Sequence, residues 1–250
     1  MKRSGLSILV LILLIDVACG DLTLVQTIEG NGVPSGSQIT IKMKGGKTRI
    51  ETGPQASVII DAKTGDTITL VHPQKQIMRI AGDKMRAIAE MTNKFATDKG
   101  VNQKPKLTPI GKKKVINGME TEIYTSEGPT SKTTYWIATN YPDAPQILRE
   151  MQTMQPGQWN IQQTGMPDFR DFPGLPLRIT VNSGGKEITS TLVSVKQDPI
   201  SDAEFSVPAD YSEIKMPAIL GGSKKAPGDE QGASKMPTLP QVGPSASPTP

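Results

Sequence analysis

The chain of 250 residues is 36% hydrophobic but only 4% aromatic, holds one cysteine and one histidine, and carries a formal net charge of +4. A single histidine and a single thiol leave any zinc site to rest on carboxylates and make an internal disulfide impossible. The charge surplus is too thin for nucleic acid, which demands a concentrated basic stripe, because the first twenty residues and the C-terminal tail supply half of it.

Lys2 and Arg3 precede an apolar run from Leu6 to Ile15, shorter than the roughly 20 residues a membrane-spanning helix needs. Residues 1–20 read as a signal peptide. The stretch "LILLIDVACGD" admits two cuts. A lipoprotein peptidase would cut before Cys19, yet Asp16 stands where that enzyme prefers an aliphatic residue. A cut after Gly20 finds the small residues Ala18 and Gly20 in the required places. Leu22 already opens a strand, so a lipid on Cys19 would have almost no tether. The pattern favours a soluble periplasmic or secreted protein starting at Asp21, with anchoring through Cys19 as the alternative.

From residue 21 to 218 the dominant signal is alternation. "SQITIKMK" puts Ile39, Ile41 and Met43 on one face and polar residues on the other, as a half-buried strand requires. "KTRIET" follows Gly45 and Gly46, "ASVIID" and "DTITLVH" flank "AKTG", and "KQIMRI" follows Pro73. "DKMRAIAEMTNKF" then changes period. Asp83 is the expected N-cap, and Met85, Ile88, Met91 and Phe95 form one helical stripe.

"KKKVI" and "METEIYT" are joined by Asn117 and Gly118, a strong two-residue hairpin signal, and "SKTTYWIAT" follows. "DAPQILREMQTM" predicts a second helix with Asp143 as cap, Pro145 in the first turn and Ile147, Leu148, Met151 and Met154 on one face. "QPGQWNIQQTGMPDFRDFP" has neither period, which leaves a lid or binding segment and a disordered stretch as the two readings. "LRITVN" and "EITSTLVSVK" flank "SGGK", another hairpin.

The pattern predicts a mainly β fold with two or so helices: nine or ten antiparallel strands in a curved meander sheet, a half-open barrel with helices over its concave face. Residues 219–250, rich in Pro, Gly and Ser, offer almost nothing to bury and read as a disordered tail.

Catalytic parts are scarce. A Ser-His-acid arrangement would have to use His72, which stands at a strand end before Pro73 and reads as a turn residue. Asp61 and Asp66 bracket one turn, and turn chemistry accounts for both. "GGKT" at 45–48 and "GNGVPSG" at 30–36 lead into strands rather than helices, so they are turns, not phosphate loops. Lys112 to Lys114 read as the solvated end of a strand. No enzyme, metal or cofactor is expected.

Soft apolar surface is what the chain offers instead. Its 11 methionines outnumber its 4 Phe, 4 Tyr and 2 Trp together, and methionine suits surfaces that repack around variable ligands. The alternation predicts an inner face of Ile39, Ile41, Met43, Ile50, Val58, Ile60, Ile68, Leu70, Ile179 and Val181, under a lid of Met85, Ile88, Met91, Phe95, Ile147, Met151 and Met154.

The segments "DLTLVQTIEG", "ITIKMKGGKTRIET", "SVIIDAKTGDTITLVHPQKQIMRI", "VINGMETEIYT", "TTYWIATN" and "ISDAEFSVPADYSEIKMP" resemble an uncharacterised family of secreted bacterial proteins. That family is similar in fold to the periplasmic lipoprotein-sorting carriers, the LolA/LolB-like group. The resemblance implies a half-open barrel holding acyl chains in an apolar concavity, and it carries over no gating residue.

The expected function is that of an exported binding protein for a lipid, an acyl chain or a lipoprotein, with a membrane surface or envelope protein as possible partner and a monomeric state. The alternative is an envelope structural or regulatory module with a packed barrel and no small-molecule ligand.

Overall fold

Alternating sequence and tight-turn chemistry build the sheet together. The computed structural model describes residues 20–87, 90, 105–128, 130–152 and 166–214. The chain divides into two units, Met1–Met216 and Pro217–Pro250, and every described residue belongs to the first. The strands are β1 (Leu22–Gly30), β2 (Gln38–Lys44), β3 (Lys47–Glu51), β4 (Ala56–Asp61), β5 (Thr67–Val71) and β6 (Gln76–Ile80). They continue as β7 (Thr108–Ile116), β8 (Met119–Glu127), β9 (Ser131–Ala138), β10 (Leu175–Ser183), β11 (Lys186–Lys196) and the two-residue β12 (Ser212–Glu213).

One sheet takes them all, in the order β12-β6-β5-β4-β3-β2-β1-β11-β10-β9-β8-β7. It is curved and remains open, ending at β12 on one side and β7 on the other. Two meanders are joined by the β1–β11 pair, the longest-range link in the sheet. The β7–β8 hairpin turns at Asn117 and Gly118 with φ of 49° and 78°. Positive φ at both positions is what this turn type demands, and it matches the strand twist. Asn117 also donates from Nδ2 to the Leu192 carbonyl at 2.6 Å, tying the hairpin tip to β11.

Residues 82–87 and 90 are helical, hereafter α1, and α2 spans Ala144–Gln152. Asp83 is not the cap of α1, contrary to expectation. The helix already begins at Gly82, and the Gly82 N–H is taken by the Asp66 carboxylate at 2.8 Å. Asp66 thus acts across the fold, reaching from the β4–β5 turn to another element. Asp61 does behave as a turn residue, accepting from the backbone of Lys63 and Thr64. Met85 is half-buried on α1, whereas Ile88, Met91 and Phe95 lie outside the described residues, as does Met154 beyond α2.

The pairing register defines two faces. Leu24, Ile41, Ile50 and Val58 are direct partners across β1–β4 and so share one face. On it sits the larger apolar cluster, where Leu22, Leu24, Met43, Tyr135, Ile137 and Leu192 pack with Ile147 and Met151 of α2. The 3-10 turn Phe169–Asp171 and Phe172 join this cluster, with Phe172 edge-on to Tyr135 at a ring separation of 5.2 Å. Part of the segment without sequence period is therefore core. We call this the helix-bearing face.

The opposite face of β2–β6 holds a second cluster of Ile59, Leu70 and Ile77. The C-terminal segment 200–213, containing the 3-10 turn Asp202–Phe205, closes it with Val207 and Tyr211. The sequence reading missed this strap because it has no helical or strand period.

Edge strand β7 is exposed throughout except at Ile116. It carries Pro109, Lys112, Lys113 and Lys114 and a pairing irregularity between Pro109 and Lys113. Such features keep an open edge from recruiting another chain.

Candidate functional site

On β2–β6 the two faces are finished differently. Against the strap, Ile59 and Ile77 are each 4% exposed and Leu70 is fully buried. On the helix-bearing face of the same strands, Ile39, Ile41, Ile50, Val58, Ile60, Met78 and Ile80 are all only half-buried. These aliphatic side chains are ranged on adjacent strands and are less completely covered than those beneath the strap.

The predicted inner-face residues fall into three groups. Ile39, Ile41, Ile50, Val58 and Ile60 share the helix-bearing face and are half-buried, and so are Ile179 and Val181 on β10, through their partners on β11. Met43 shares the face but is packed into the larger cluster at 1% exposure. Ile68 and Leu70 point the other way, which corrects the expectation. Thr69 is the residue paired with Val58, and Ile68 pairs with Ile59, so the threonines of β5 occupy the helix-bearing face. Of the predicted lid, Ile147 and Met151 are buried in the cluster beneath α2.

Two hollows flank α2 and share Tyr141. One, of about 280 Å³, lies between α2 and the 3-10 turn at Phe169. The other, of about 420 Å³, lies between α2, Met119 of the β7–β8 hairpin and Val195 of β11. The helix-bearing face is thus solid directly under α2 and hollow beside it.

The strap is held to the other face by polar contacts as well as burial. Lys42 meets Glu204 at 2.8 Å and Glu51 at 3.4 Å, and Arg49 donates to the Glu204 carbonyl at 2.8 Å. Burial works against the Lys42 charge, but Glu204 and Glu51 outweigh it and hold its pKa above the ordinary lysine value. The hydrogen bond from Lys42 holds the Glu204 carboxyl below its ordinary value. Further along, Lys75 pairs with Asp210 at 2.9 Å, lowering the Asp210 pKa chiefly through that hydrogen bond. At the start of the strap, Asp21 accepts from the Ile200 N–H at 2.6 Å, and Lys44 donates to the Ile200 carbonyl.

His72 belongs to this structure. Its Nε2 lies 2.7 Å from Ser57 Oγ and its Nδ1 lies 2.7 Å from the Tyr211 hydroxyl. A serine beside a histidine invites comparison with nucleophilic sites, but the orienting group here is a phenol rather than a carboxylate, and Ser57 is 1% exposed beneath the strap. The trio fastens Tyr211 to β4 and β5. Among the described residues, no group of three or more His, Cys, Asp or Glu is placed to hold a metal ion.

A family model described as a domain of unknown function, DUF4412, matches residues 20–211. No curated protein matches the sequence. Among solved structures, the chain is similar to PNGF-II with a TM-score of 0.39 and 13% identity, covering 78% of this chain and 31% of that one. It spans about a third of the PNGF-II length. It is also similar to the Mycobacterium tuberculosis lipoprotein LppX, with a TM-score of 0.35, 12% identity and coverage of 72% and 88%. A LolA superfamily protein from Nitrosomonas europaea is similar as well, with a TM-score of 0.21, 10% identity and coverage of 75% and 90%.

Proposed function

We propose, because the chain belongs to the DUF4412 family of unknown function and carries this half-open apolar face, that it is an exported, non-catalytic binding protein for an apolar ligand. The ligand is a lipid, an acyl chain or the acyl chains of a lipoprotein. It lies against Ile39, Ile41, Ile50, Val58 and Ile60, with Ile179 and Val181 further along the same face. Export rests on the basic and apolar pattern of residues 1–20.

One observation carries the reading: β4 bears aliphatic side chains on both faces, and among the described residues only one of those faces is fully closed. Ile59 is sealed by the strap, while Val58 and Ile60 keep part of their surface open. Fully burying such a side chain is worth about 1.5–3 kcal/mol, so several of them supply a ligand with a substantial gain on contact. An apolar concavity with few polar groups is the usual form of a small-molecule site.

Native mass spectrometry after gentle purification tests the proposal. The protein should carry an adduct that organic solvent releases as a lipid or fatty acid. A bare protein mass that stays bare after incubation with mixed lipids would contradict it. The packed cluster under α2 favours a second reading, an envelope interaction module contacting partners through residues 219–250. Deleting that tail separates the two, since a carrier keeps its ligand and a tail-dependent adaptor loses its partner.

A further inference from the structure

The hollow of about 280 Å³ beside α2 is distinct in composition from the open face of β2–β6 and shares none of its residues. Its walls include Tyr141, Leu148, Phe169 and Phe172, and its lining also includes Arg149 and Arg170. The two arginines are prepared differently. Arg170 is clamped by the Asp168 carboxylate through Nε and Nη2, a fork that fixes the plane of the group and leaves Nη1 with no acceptor among the described residues. Arg149, in the last turn of α2, is exposed and has no ion pair among the described residues. Asp171 also acts on Arg170 but does not line the hollow.

We propose that this hollow is a binding site for an anionic amphiphile: a carboxylate or phosphate head on a short apolar body. The body packs against the aromatic and leucine walls, and the head lies between Arg170 and Arg149, which has no ion pair among the described residues. Asp168 and Asp171 both act on Arg170, so Arg149 is the cation left for the head to meet among the described residues. Because Arg170 is held before the ligand arrives, little ordering is lost on binding. A guanidinium fork matches both carboxylate and phosphate geometry, so the shared chemistry is an oxyanion.

Isothermal titration calorimetry of the full chain with octanoate, octyl phosphate and octanol tests this. At least one of the two anions should bind more tightly than octanol, and the tighter one identifies the head group. Arg149→Gln should weaken the anion about tenfold and leave octanol unchanged. Arg149→Gln changes an exposed side chain, so its folding is checked by an unchanged melting curve; Arg170→Lys, which keeps a cation beside the buried Asp168 carboxylate, should likewise weaken the anion. Equal binding of anions and octanol, no binding of any probe, or anion binding indifferent to both substitutions would overturn the proposal. Ile60→Asp separates it from the functional reading. If that variant abolishes octanoate binding while Arg149→Gln does not, the ligand lies on the β2–β6 face and this site falls alone.

Discussion

Ile59 and Ile60 are neighbours in β4 that meet different surroundings. Ile59 is 4% exposed and packs with Leu70 and Ile77 under the strap, while Ile60 is half-buried on the helix-bearing face, where it is paired with Thr48 and Thr67. A carboxylate at the first position would be cut off from water beneath the strap, and the Arg49 opposite it is already engaged by Glu51 and the Glu204 carbonyl. Ile59→Asp should therefore cost at least about 3 kcal/mol, whereas Ile60→Asp should cost under about 1.5 kcal/mol. Urea denaturation of the two variants measures the difference, and equal losses would show that both faces are sealed alike.

The strap makes stability depend on acid. Glu204 has a lowered pKa in the fold, so its contribution is present above the ordinary glutamate value of 4.5 and is lost as pH falls through the lowered value. Lys42, held above 10.5, keeps its charge across the same range and loses its contribution only as pH rises through that raised value. The Glu204 side chain is 40% exposed, so solvent limits the gain to about 1 kcal/mol or less. Thermal melting between pH 7 and pH 3 should fall more for the native chain than for Glu204→Gln. Parallel curves would remove this pair from the account of the strap.

Tyr135 makes stability depend on base. Burial pushes its phenol up to about 12, against a smaller opposing effect of a Thr133 hydrogen bond, and its ring is fully buried against Phe172. The unfolded chain ionises this group at its ordinary value of 10.0, so stability holds below that pH and is lost as pH rises towards the folded value. Two units amount to about 2–3 kcal/mol. Tyr135→Phe should lack this alkaline loss in denaturant titrations at pH 9 and pH 11. It should cost little at neutral pH, because the buried hydroxyl has no hydrogen bond of good geometry.

Edge strand β7 is protected by charge. Replacing Lys112, Lys113 and Lys114 with threonine removes the repulsion that keeps a second edge away, while the β7–β8 pairing at Lys113, Lys114 and Val115 is untouched. The variant should sediment as dimers or larger species at concentrations where the native chain sediments as one species. Unchanged sedimentation would mean that Pro109 and the irregularity beside it suffice alone.

Much of the sheet was legible because alternation and turn residues agree locally. Asn117–Gly118 and "SGGK" place two hairpins, and "SQITIKMK" gives β2 almost to the residue. Alternation identifies a set of residues without saying which face they take. In β5 the apolar set is Ile68 and Leu70, and only the pairing with β4 shows that it faces the strap.

The strap itself was illegible, since Phe205, Val207 and Tyr211 follow no period and act through a distant surface. Phe169 and Phe172 were hidden for the same reason. Met151, expected to touch ligand as part of a lid, is 5% exposed in the packed cluster. Met151→Asp would therefore report on folding rather than on ligand uptake.

The central claim is that the open face of β2–β6 receives an apolar chain. Titration of a dansyl-labelled undecanoic acid into the native protein and into Ile60→Asp tests it most directly. Saturable fluorescence enhancement is expected for the native chain, with a loss of about tenfold or more in affinity in a variant that still folds. A native protein that gives no enhancement, or a folded Ile60→Asp that binds equally well, would contradict it.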